Sequence, residues 1–161
     1  MLCRSGLSIR SLTMITVADI MTQKPHIATV DTNLEQALKI CQEFRIRHLP
    51  VVDKEHHLLG LVSERDLRSA QESSLAKLSK EQRSQHQRSH SLDQIMVTKV
   101  HSVNPHASVE DAARHIENHR IGCLPVVEKD KLVGILTDSD FVGVAITLLE
   151  MQRDQEPLIP D

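Results

Sequence analysis

A chain of 161 residues is long enough for one or two small domains. Its net charge of −3 gives no electrostatic reason to bind nucleic acid, and no apolar run approaches the roughly 20 residues of a membrane-spanning helix. We therefore expect a soluble protein that binds neither nucleic acid nor membrane. Phe44 and Phe141 are the only residues of the Phe, Tyr and Trp types. The core must be aliphatic, and stacking of single-stranded bases on aromatic rings is disfavoured.

The three cysteines are widely spaced, at Cys3, Cys41 and Cys123. An odd number without close spacing indicates neither a disulfide framework nor a cysteine-based zinc site, and it favours a reducing, cytoplasmic location. Residues 1–16 lack the apolar stretch of a signal peptide. We expect them to form an N-terminal extension. A short transit peptide and a start site assigned upstream of the native one are the alternatives.

A long internal repeat dominates the sequence. Residues 20–53 align without gaps with residues 95–128, and both segments begin with an Ile-Met pair. After a one-residue difference in a turn, residues 59–66 align with residues 133–140. Two copies of so long a unit favour two small domains related by a pseudo-twofold axis. The cleft between such halves is a natural place for a ligand.

The first copy begins with a short strand at residues 27–30. A helix is predicted next, because Thr32 and Glu35 have the spacing of a capping box and because the apolar residues that follow share one helical face; these are Leu34, Ala37, Leu38 and Cys41. Two apolar strands and a second helix complete the copy, predicted at 49–52, at 58–62 and from about Ser63.

The second copy predicts the same order of elements, so each unit is β-α-β-β-α. Its first helix has apolar residues at the identical spacing, namely Val109, Ala112, Ala113 and Ile116. Its strands are predicted at 124–127 and 132–136, and its last helix runs from Thr137 to about Glu150. The predicted organisation is an N-terminal extension (1–16), repeat 1 (17–70), a polar linker (71–91), repeat 2 (92–150) and a C-terminal tail (151–161).

These motifs resemble those of the cystathionine β-synthase-type (CBS) domain pair. Each copy combines an Ile-Met start, a Leu-Pro-Val-Val strand followed by an acidic residue, and a Gly-x-x-Ser/Thr-x-x-Asp turn. The resemblance covers about residues 17–149. It implies an α/β (α+β) fold in which tandem CBS units pack as a pseudo-twofold sandwich. It also implies two clefts for adenosine-containing ligands such as AMP, ADP, ATP or S-adenosylmethionine, a regulatory role, and a homodimer.

The sharpest candidate positions are Ser63-x-x-Asp66 and Thr137-x-x-Asp140. A hydroxyl three residues before a carboxylate, at a strand-to-helix turn, is typical of a helix N-cap. The same carboxylate can accept both vicinal hydroxyls of a ribose, and the helix N-terminus beside it favours phosphate. In the family the matching Asp grips the ribose. The two roles can coexist, and we expect ribose contact from at least one of Asp66 and Asp140.

The resemblance places the acidic residue of one repeat opposite the first strand of the other, which defines two predicted clefts. The first cleft contains Lys24, His26, Ile27, Ala28, Arg47, His48, Thr137, Asp138 and Asp140. The second cleft contains Ser63, Arg65, Asp66, Lys99, His101, Ser102, Val103, Gly122 and Cys123.

The two predicted clefts differ in charge. Arg47 and His48 stand where family members place phosphate-contacting side chains, and a guanidinium binds phosphate in a bidentate manner. Gly122 and Cys123 occupy the matching positions of the second cleft. We therefore expect the first cleft to be the better nucleotide site. The alternatives are that Arg47 and His48 are solvated strand-edge residues, or that Arg65 or Arg120 restores positive charge to the second cleft.

No metal site is expected, although the chain contains 10 histidines. His56 and His57 lie in a polar turn, where histidines are usually exposed, and no His-x₃-His pair is assigned to a regular helix or strand. Cys41 is interpreted as a packing residue of an apolar helix face. For Cys123, a small cleft-lining role is favoured over a reactive thiol.

Catalysis finds no support in the motifs. The chain has no Gly-x-Ser-x-Gly elbow, no Walker loop and no Rossmann fingerprint. We therefore expect a non-enzymatic module without a resident cofactor, whose regulatory ligand is an adenine nucleotide such as AMP or ATP and which acts in trans on an unknown partner protein. A scaffolding dimerisation module with vestigial clefts is the main alternative, and a small enzyme acting on nucleotides is the weaker one.

Overall fold

The computed structural model describes residues 15–75, 79, 82 and 91–154, and no side-chain surroundings are described for 72–75 and 154. Most of the predicted N-terminal extension, linker and tail lies outside the described residues. No helix among the described residues is long and apolar enough to cross a membrane. The elements, in chain order, are α1 (Val17–Ile20), β1 (Thr22–Gln23), β2 (Ala28–Thr29), α2 (Leu34–Phe44), β3 (His48–Val52), β4 (Leu58–Ser63), α3 (Glu64–Leu75), a 3₁₀ turn (Leu92–Gln94), α4 (Val109–His119), β5 (Cys123–Glu128), β6 (Lys131–Thr137) and α5 (Asp138–Asp154).

Each repeat forms its own sheet, as the β-α-β-β-α pattern predicts. In repeat 1, β2 pairs in parallel with β3, and β3 pairs antiparallel with β4. In repeat 2, β5 and β6 form the same antiparallel pair, and a parallel bridge from Val103 to Val126 takes the place of the β2–β3 ladder. The two hairpins even share the position of a register shift, after Val51 and after Val126. The predicted α+β class and the pair of β-α-β-β-α units are confirmed.

The first residues of each repeat pair with the sheet of the other repeat. We call residues 17–23 and 92–97 the leader segments. In the first leader, β1 pairs antiparallel with β6, so that Thr22 lies opposite Ile135. In the second leader, an antiparallel bridge joins Val97 to Leu61 in β4. The two repeats therefore exchange their leaders.

The exchanged leaders complete the two cores. Leu92 of the second leader is fully buried in the core of repeat 1, between residues such as Leu49 and Val62, and Ile95 and Met96 pack against the same cluster. The first leader does the same in repeat 2, where Val17 is fully buried and Ile20 and Met21 pack alongside. The repeated Ile-Met pair is thus part of the core of the opposite repeat. Burial of such aliphatic side chains stabilises the fold by about 1.5–3 kcal/mol each.

Two glycines allow the leader methionines to reach the sheets. A Cβ atom placed on Gly60 would lie 2.6 Å from Met96 Sδ, and one placed on Gly134 would lie 2.5 Å from Met21 Sδ. Neither glycine has a positive φ, so the requirement is for the absence of a side chain and not for an unusual backbone. This contact explains why the Ile-Met and Gly motifs occur together in both copies.

The capping box predicted for Thr32 and Glu35 is wrong, because the helix begins one residue later. The N-cap of α2 is Asn33, whose side-chain oxygen accepts a hydrogen bond from the Gln36 amide at 2.9 Å, and the Gln36 side chain accepts one from the Asn33 amide at 3.1 Å. The Thr32 hydroxyl instead accepts a bond from the Thr29 amide at 3.0 Å. Thr32 therefore closes the turn that precedes the helix.

Alanine at Gly60 or Gly134 should destabilise the protein, because a leader methionine must move to admit the new Cβ atom. We expect each substitution to lower the free energy of unfolding by about 1–3 kcal/mol in urea titrations. Gly143→Ala is the matched control, since a Cβ atom there has no neighbour within 4 Å and alanine favours a helix. A loss of stability in Gly143→Ala equal to that in the other two variants would contradict the role assigned to the methionine contacts.

Candidate functional site

The turn from β6 into α5 carries the pair Thr137 and Asp140. One carboxylate oxygen of Asp140, Oδ2, accepts hydrogen bonds from the Thr137 amide at 2.7 Å and from the Thr137 hydroxyl at 2.9 Å. This is the helix-capping arrangement. Oδ1 of the same carboxylate accepts no hydrogen bond from the described residues, so an acceptor is available to a ligand hydroxyl. Capping and ribose binding are compatible here.

The first leader forms the opposite wall of this site, because β1 pairs with β6 immediately before Thr137. A cavity of about 300 Å³ results, and six residues of the predicted first cleft line it: His26, Arg47, His48, Thr137, Asp138 and Asp140. Asp140 and Arg47 thus share one cavity. Lys24, Ile27 and Ala28 are not among the lining residues. Ala28 is buried in β2 opposite Val51, which turns its side chain into the core.

Arg45 lines the first cleft and was missed by the sequence analysis. It ends α2 in the left-handed conformation, with φ of 53°, which non-glycine residues rarely adopt. Arg120 ends α4 in the same way, with φ of 52°. No glycine marks either helix end. The only sequence signal for the end of each helix was the point at which its apolar spacing stops.

A central cavity of about 590 Å³ lies between the N-termini of α3 and α5. It is lined by three guanidinium groups and two carboxylates, those of Arg47, Arg65, Arg68, Glu64 and Asp138. Because helix N-termini also favour anions, the cavity is suited to phosphate. Ser63 and Arg65, predicted for the second cleft, line this cavity instead.

An ion pair crosses the central cavity between the two repeats. Arg47 Nη2 donates to Asp138 Oδ1 at 3.0 Å, and the two side chains are 63% and 49% exposed. Ion pairs this exposed contribute little to stability, typically about 0–1 kcal/mol. Arg47 can therefore exchange this carboxylate for a phosphate at low cost. A guanidinium forms stronger, bidentate contacts with phosphate.

His48 lies where the three cavities meet, because it lines the first cleft, the central cavity and the second cleft. Gly122 makes room for the ring: a Cβ atom there would lie 2.9 Å from His48 Cε1. Burial lowers the pKa of His48, and the positive charge of Arg47 lowers it further, while Asp138 and Asp66 oppose the shift. His48 is therefore neutral at pH 7, and a bound phosphate would favour its protonation.

The second cleft is a smaller and more apolar cavity of about 190 Å³. Lys99, His101, Gly122 and Cys123 of the predicted set line it, together with apolar residues such as Leu61 and Ile121. Burial raises the pKa of the Cys123 thiol to about 12, so the thiol is protonated and a weak nucleophile.

The other residues predicted for the second cleft lie elsewhere. Val103 bridges to Val126 and packs against the core of repeat 2. Ser102 lines a separate depression beside His57 and Val127. Asp66 accepts a hydrogen bond from the Ser63 hydroxyl at 2.6 Å and lines neither the second cleft nor the central cavity. The arrangement of the first cleft, in which the hydroxyl–carboxylate pair shares a cavity with an arginine and a histidine, is therefore not reproduced here.

A cluster of three histidines adjoins the second cleft. His101 Nδ1 lies 2.9 Å from His115 Nε2, and the ring of His119 stacks on that of His115. His115 and His119 are four residues apart on α4. The expectation that no His-x₃-His pair lies on a regular helix or strand is therefore wrong.

The chain belongs to the CBS domain family, since residues 17–73 and 92–146 match the CBS domain model. Among relatives, a CBS domain-containing protein of Dictyostelium discoideum is 32% identical over 137 residues, which are 84% of this chain and 94% of the relative. The homoserine O-acetyltransferase of Methanococcoides burtonii is 32% identical over 130 residues, or 80% of this chain, but the chain spans only 24% of that enzyme.

Three solved structures have the same fold. The protein provisionally named as the acetoin utilization protein AcuB of Vibrio cholerae is 46% identical, with a TM-score of 0.75 over 89% of this chain and 99% of that one. CBSX2 in complex with AMP is 29% identical, with a TM-score of 0.69 over 83% and 98%. The CBS domain pair of protein MJ0100, in complex with 5′-methylthioadenosine and S-adenosyl-L-methionine, is 25% identical, with a TM-score of 0.68 over 84% and 98%.

The lowered pKa of His48 predicts that the protein loses stability as the pH falls. The unfolded chain protonates this histidine near a pH of about 6.5, whereas the folded protein does so only at a lower pH. Protonation therefore favours the unfolded chain as the pH falls through this range, and the free energy of unfolding decreases. We expect the free energy of unfolding to fall between about pH 7.5 and pH 5.5 by less in His48→Gln than in the wild type. Urea titrations at the two pH values measure this difference. Equal losses in both proteins would contradict the assignment.

Proposed function

We propose that the protein is a non-catalytic regulatory module that binds an adenosine-containing ligand in the first cleft and passes the signal to a separate protein. The observation that carries this proposal is the shared cavity of Asp140, Thr137, Arg47 and His48. One side of it offers a carboxylate oxygen to ribose hydroxyls, and the other offers cationic and hydrogen-bonding groups to a phosphate. The bound AMP of CBSX2 and the adenosyl ligands of the MJ0100 pair support this ligand class.

An adenine nucleotide such as AMP or ATP suits the charge of the site better than an uncharged adenosine. The first cleft contains Arg45 and Arg47, and it shares Arg47, His48 and Asp138 with the central cavity. A nucleotide whose ribose lies against Asp140 would direct its phosphates towards the guanidinium groups of the central cavity. The second cleft lacks such a pair and would bind nucleotides more weakly.

The signal would arise from the way the repeats share the site. Residues of both repeats line the first cleft and the central cavity, and the ion pair from Arg47 to Asp138 bridges them. A phosphate that takes Arg47 from Asp138 would favour one arrangement of the repeats over another, which is the differential affinity that a population shift requires. The similarity to the acetoin utilization protein makes proteins of acetoin metabolism the first partners to test.

Isothermal titration calorimetry with AMP tests the site assignment. Asp140→Asn should weaken binding at the better site by about 10–100-fold, because a charge-assisted hydrogen bond is worth about 1.5–3 kcal/mol. Asp66→Asn is the matched control, since it makes the same chemical change at the equivalent capping position of α3. We expect it to leave the better site unchanged.

The same titrations separate the proposal from its alternative. A scaffolding module would give no heat and no thermal shift with AMP, ATP or S-adenosylmethionine, whereas a ligand at 100 times its dissociation constant stabilises a binder by about 2.7 kcal/mol. Equal weakening by Asp66→Asn and Asp140→Asn would overturn the inequality of the two clefts. Turnover of the nucleotide would overturn the non-catalytic role.

We also propose that a second copy of the chain covers the apolar face of α5. Val142, Ile146 and Leu149 are 59%, 51% and 66% exposed, and their spacing puts them on one stripe of the helix. A separate shallow groove of about 500 Å³ lies along another face of the same helix and is formed by Ile15, Leu148 and Met151 with their neighbours. Exposed apolar side chains on one helix face are typical of protein interfaces, and the homodimer implied by the family resemblance supports a second copy as the occupant.

Light scattering after size-exclusion chromatography tests the dimer. The 18.1 kDa chain should elute with twice its mass, and Ile146→Glu should shift it to the monomer because a charge would be buried in the interface. Gln42→Glu adds the same charge to an exposed position of α2 and should leave the dimer intact. A monomeric wild type would contradict the proposal.

A further inference from the structure

The cluster of His101, His115 and His119 is built like a metal site. One ring nitrogen from each histidine lies within 4.8 Å of the other two. The ring centroid of His101 lies 4.9 Å from that of His115 and 4.5 Å from that of His119. The centroids of His115 and His119 are 4.1 Å apart. We propose that these three side chains bind one divalent transition-metal ion of the borderline class, which prefers imidazole ligands, and Zn²⁺ is the probe used to test it.

The hydrogen bonds of the cluster already orient two of the rings for coordination. His119 Nδ1 lies 2.9 Å from the carbonyl oxygen of His115, and because a carbonyl can only accept, Nδ1 of His119 must carry the proton. In the neutral ring, Nε2 then holds the free lone pair, which is the usual state of a metal-binding histidine with an orienting partner.

The contact between His101 and His115 holds two further nitrogens close to the separation that two nitrogen ligands of one metal ion have. His101 Nδ1 and His115 Nε2 are 2.9 Å apart and share one proton. Zn–N bonds of about 2.0–2.1 Å in a tetrahedral site place two nitrogens about 3.3 Å apart. An ion that replaces the shared proton therefore needs only small side-chain rotations. Three histidine ligands leave a fourth position open to water or to an anion.

Repeat 1 provides an internal contrast at the same place. The residues that align with His101, His115 and His119 are His26, Ile40 and Phe44. His26 stacks on Phe44 with ring centroids 3.7 Å apart and an angle of 16° between the planes. The packing role of the position is thus met by one histidine and one phenyl ring. Repeat 2 has three histidines at these positions, which is two more than the packing in repeat 1 uses.

A second group of candidate ligands, Asp53, Glu55 and His57, carries less weight. Asp53 Oδ1 accepts hydrogen bonds from the amides of Glu55 and His57 at 2.9 and 2.8 Å, and Oδ2 lies 2.8 Å from His57 Nδ1. These contacts are those of a turn that satisfies its own polar groups. The histidine cluster has no comparable structural need for three imidazoles.

Calorimetric titration of the metal-free, tag-free chain with Zn²⁺ tests the proposal, and Co²⁺ absorption identifies the ligands. We expect one ion per chain and a cobalt spectrum of nitrogen and oxygen ligands without thiolate charge-transfer bands. The double variant His115→Ile, His119→Phe gives repeat 2 the residues of repeat 1 and should fold, as its circular dichroism would report, yet lose the ion. His57→Ala, which removes the other candidate group, should bind as the wild type does.

Three results would overturn the site. They are the absence of stoichiometric binding by the wild type, undiminished binding by the double variant, and thiolate bands that assign the ion to cysteine. His101→Ala gives an independent check, because it leaves α4 unchanged and should weaken binding by at least about tenfold, the scale on which even supporting groups of metal sites act.

Discussion

The exchange of leader segments between the repeats is the constraint on which the rest of the structure depends. Met21 and Met96 reach the opposite sheets only because Gly134 and Gly60 leave space for them. That contact fixes β1 against β6, and this pairing in turn sets the wall of the first cleft opposite Asp140. Core packing and the shape of the first cleft are therefore two results of one close approach, so a change in Ile20 or Met21 acts on both.

The duplicated halves have diverged in their chemistry more than in their backbone. The arginines that line the first cleft and the central cavity all belong to repeat 1, and Gly122 and Ser139, which align with Arg47 and Arg65, carry no charge. The histidine cluster belongs to repeat 2 alone. A pseudo-symmetric frame thus holds two unlike clusters, one of guanidinium groups and one of imidazoles, with His48 lying against both clefts.

The sequence predicted the elements of the fold well, because the two copies reinforce each other. Apolar spacing identified α2 and α4, and the paired hydrophobic segments identified the hairpins. Local details were less accessible: Thr32 and Asn33 are both good caps, and only the competing bond to Thr29 decides between them. Side-chain positions within the clefts depend on how two sheets approach each other, which no local pattern encodes, so Arg45 was missed and Ala28 was placed in a cleft. The pair His115 and His119 was visible as a spacing and was simply overlooked.

The exchange of leader segments also determines when each repeat can fold during synthesis. The first half to be synthesised lacks Leu92, Ile95 and Met96, which its own hydrophobic cluster needs, so its sheet remains incomplete until the second leader has been translated. Repeat 2 likewise needs Val17, which was made first. Repeat 1 therefore stays exposed to chaperones and proteases until the second leader has left the ribosome, and repeat 2 until its own last elements have done so. Splitting the gene between the copies would yield two fragments, each without the segment that closes its interior.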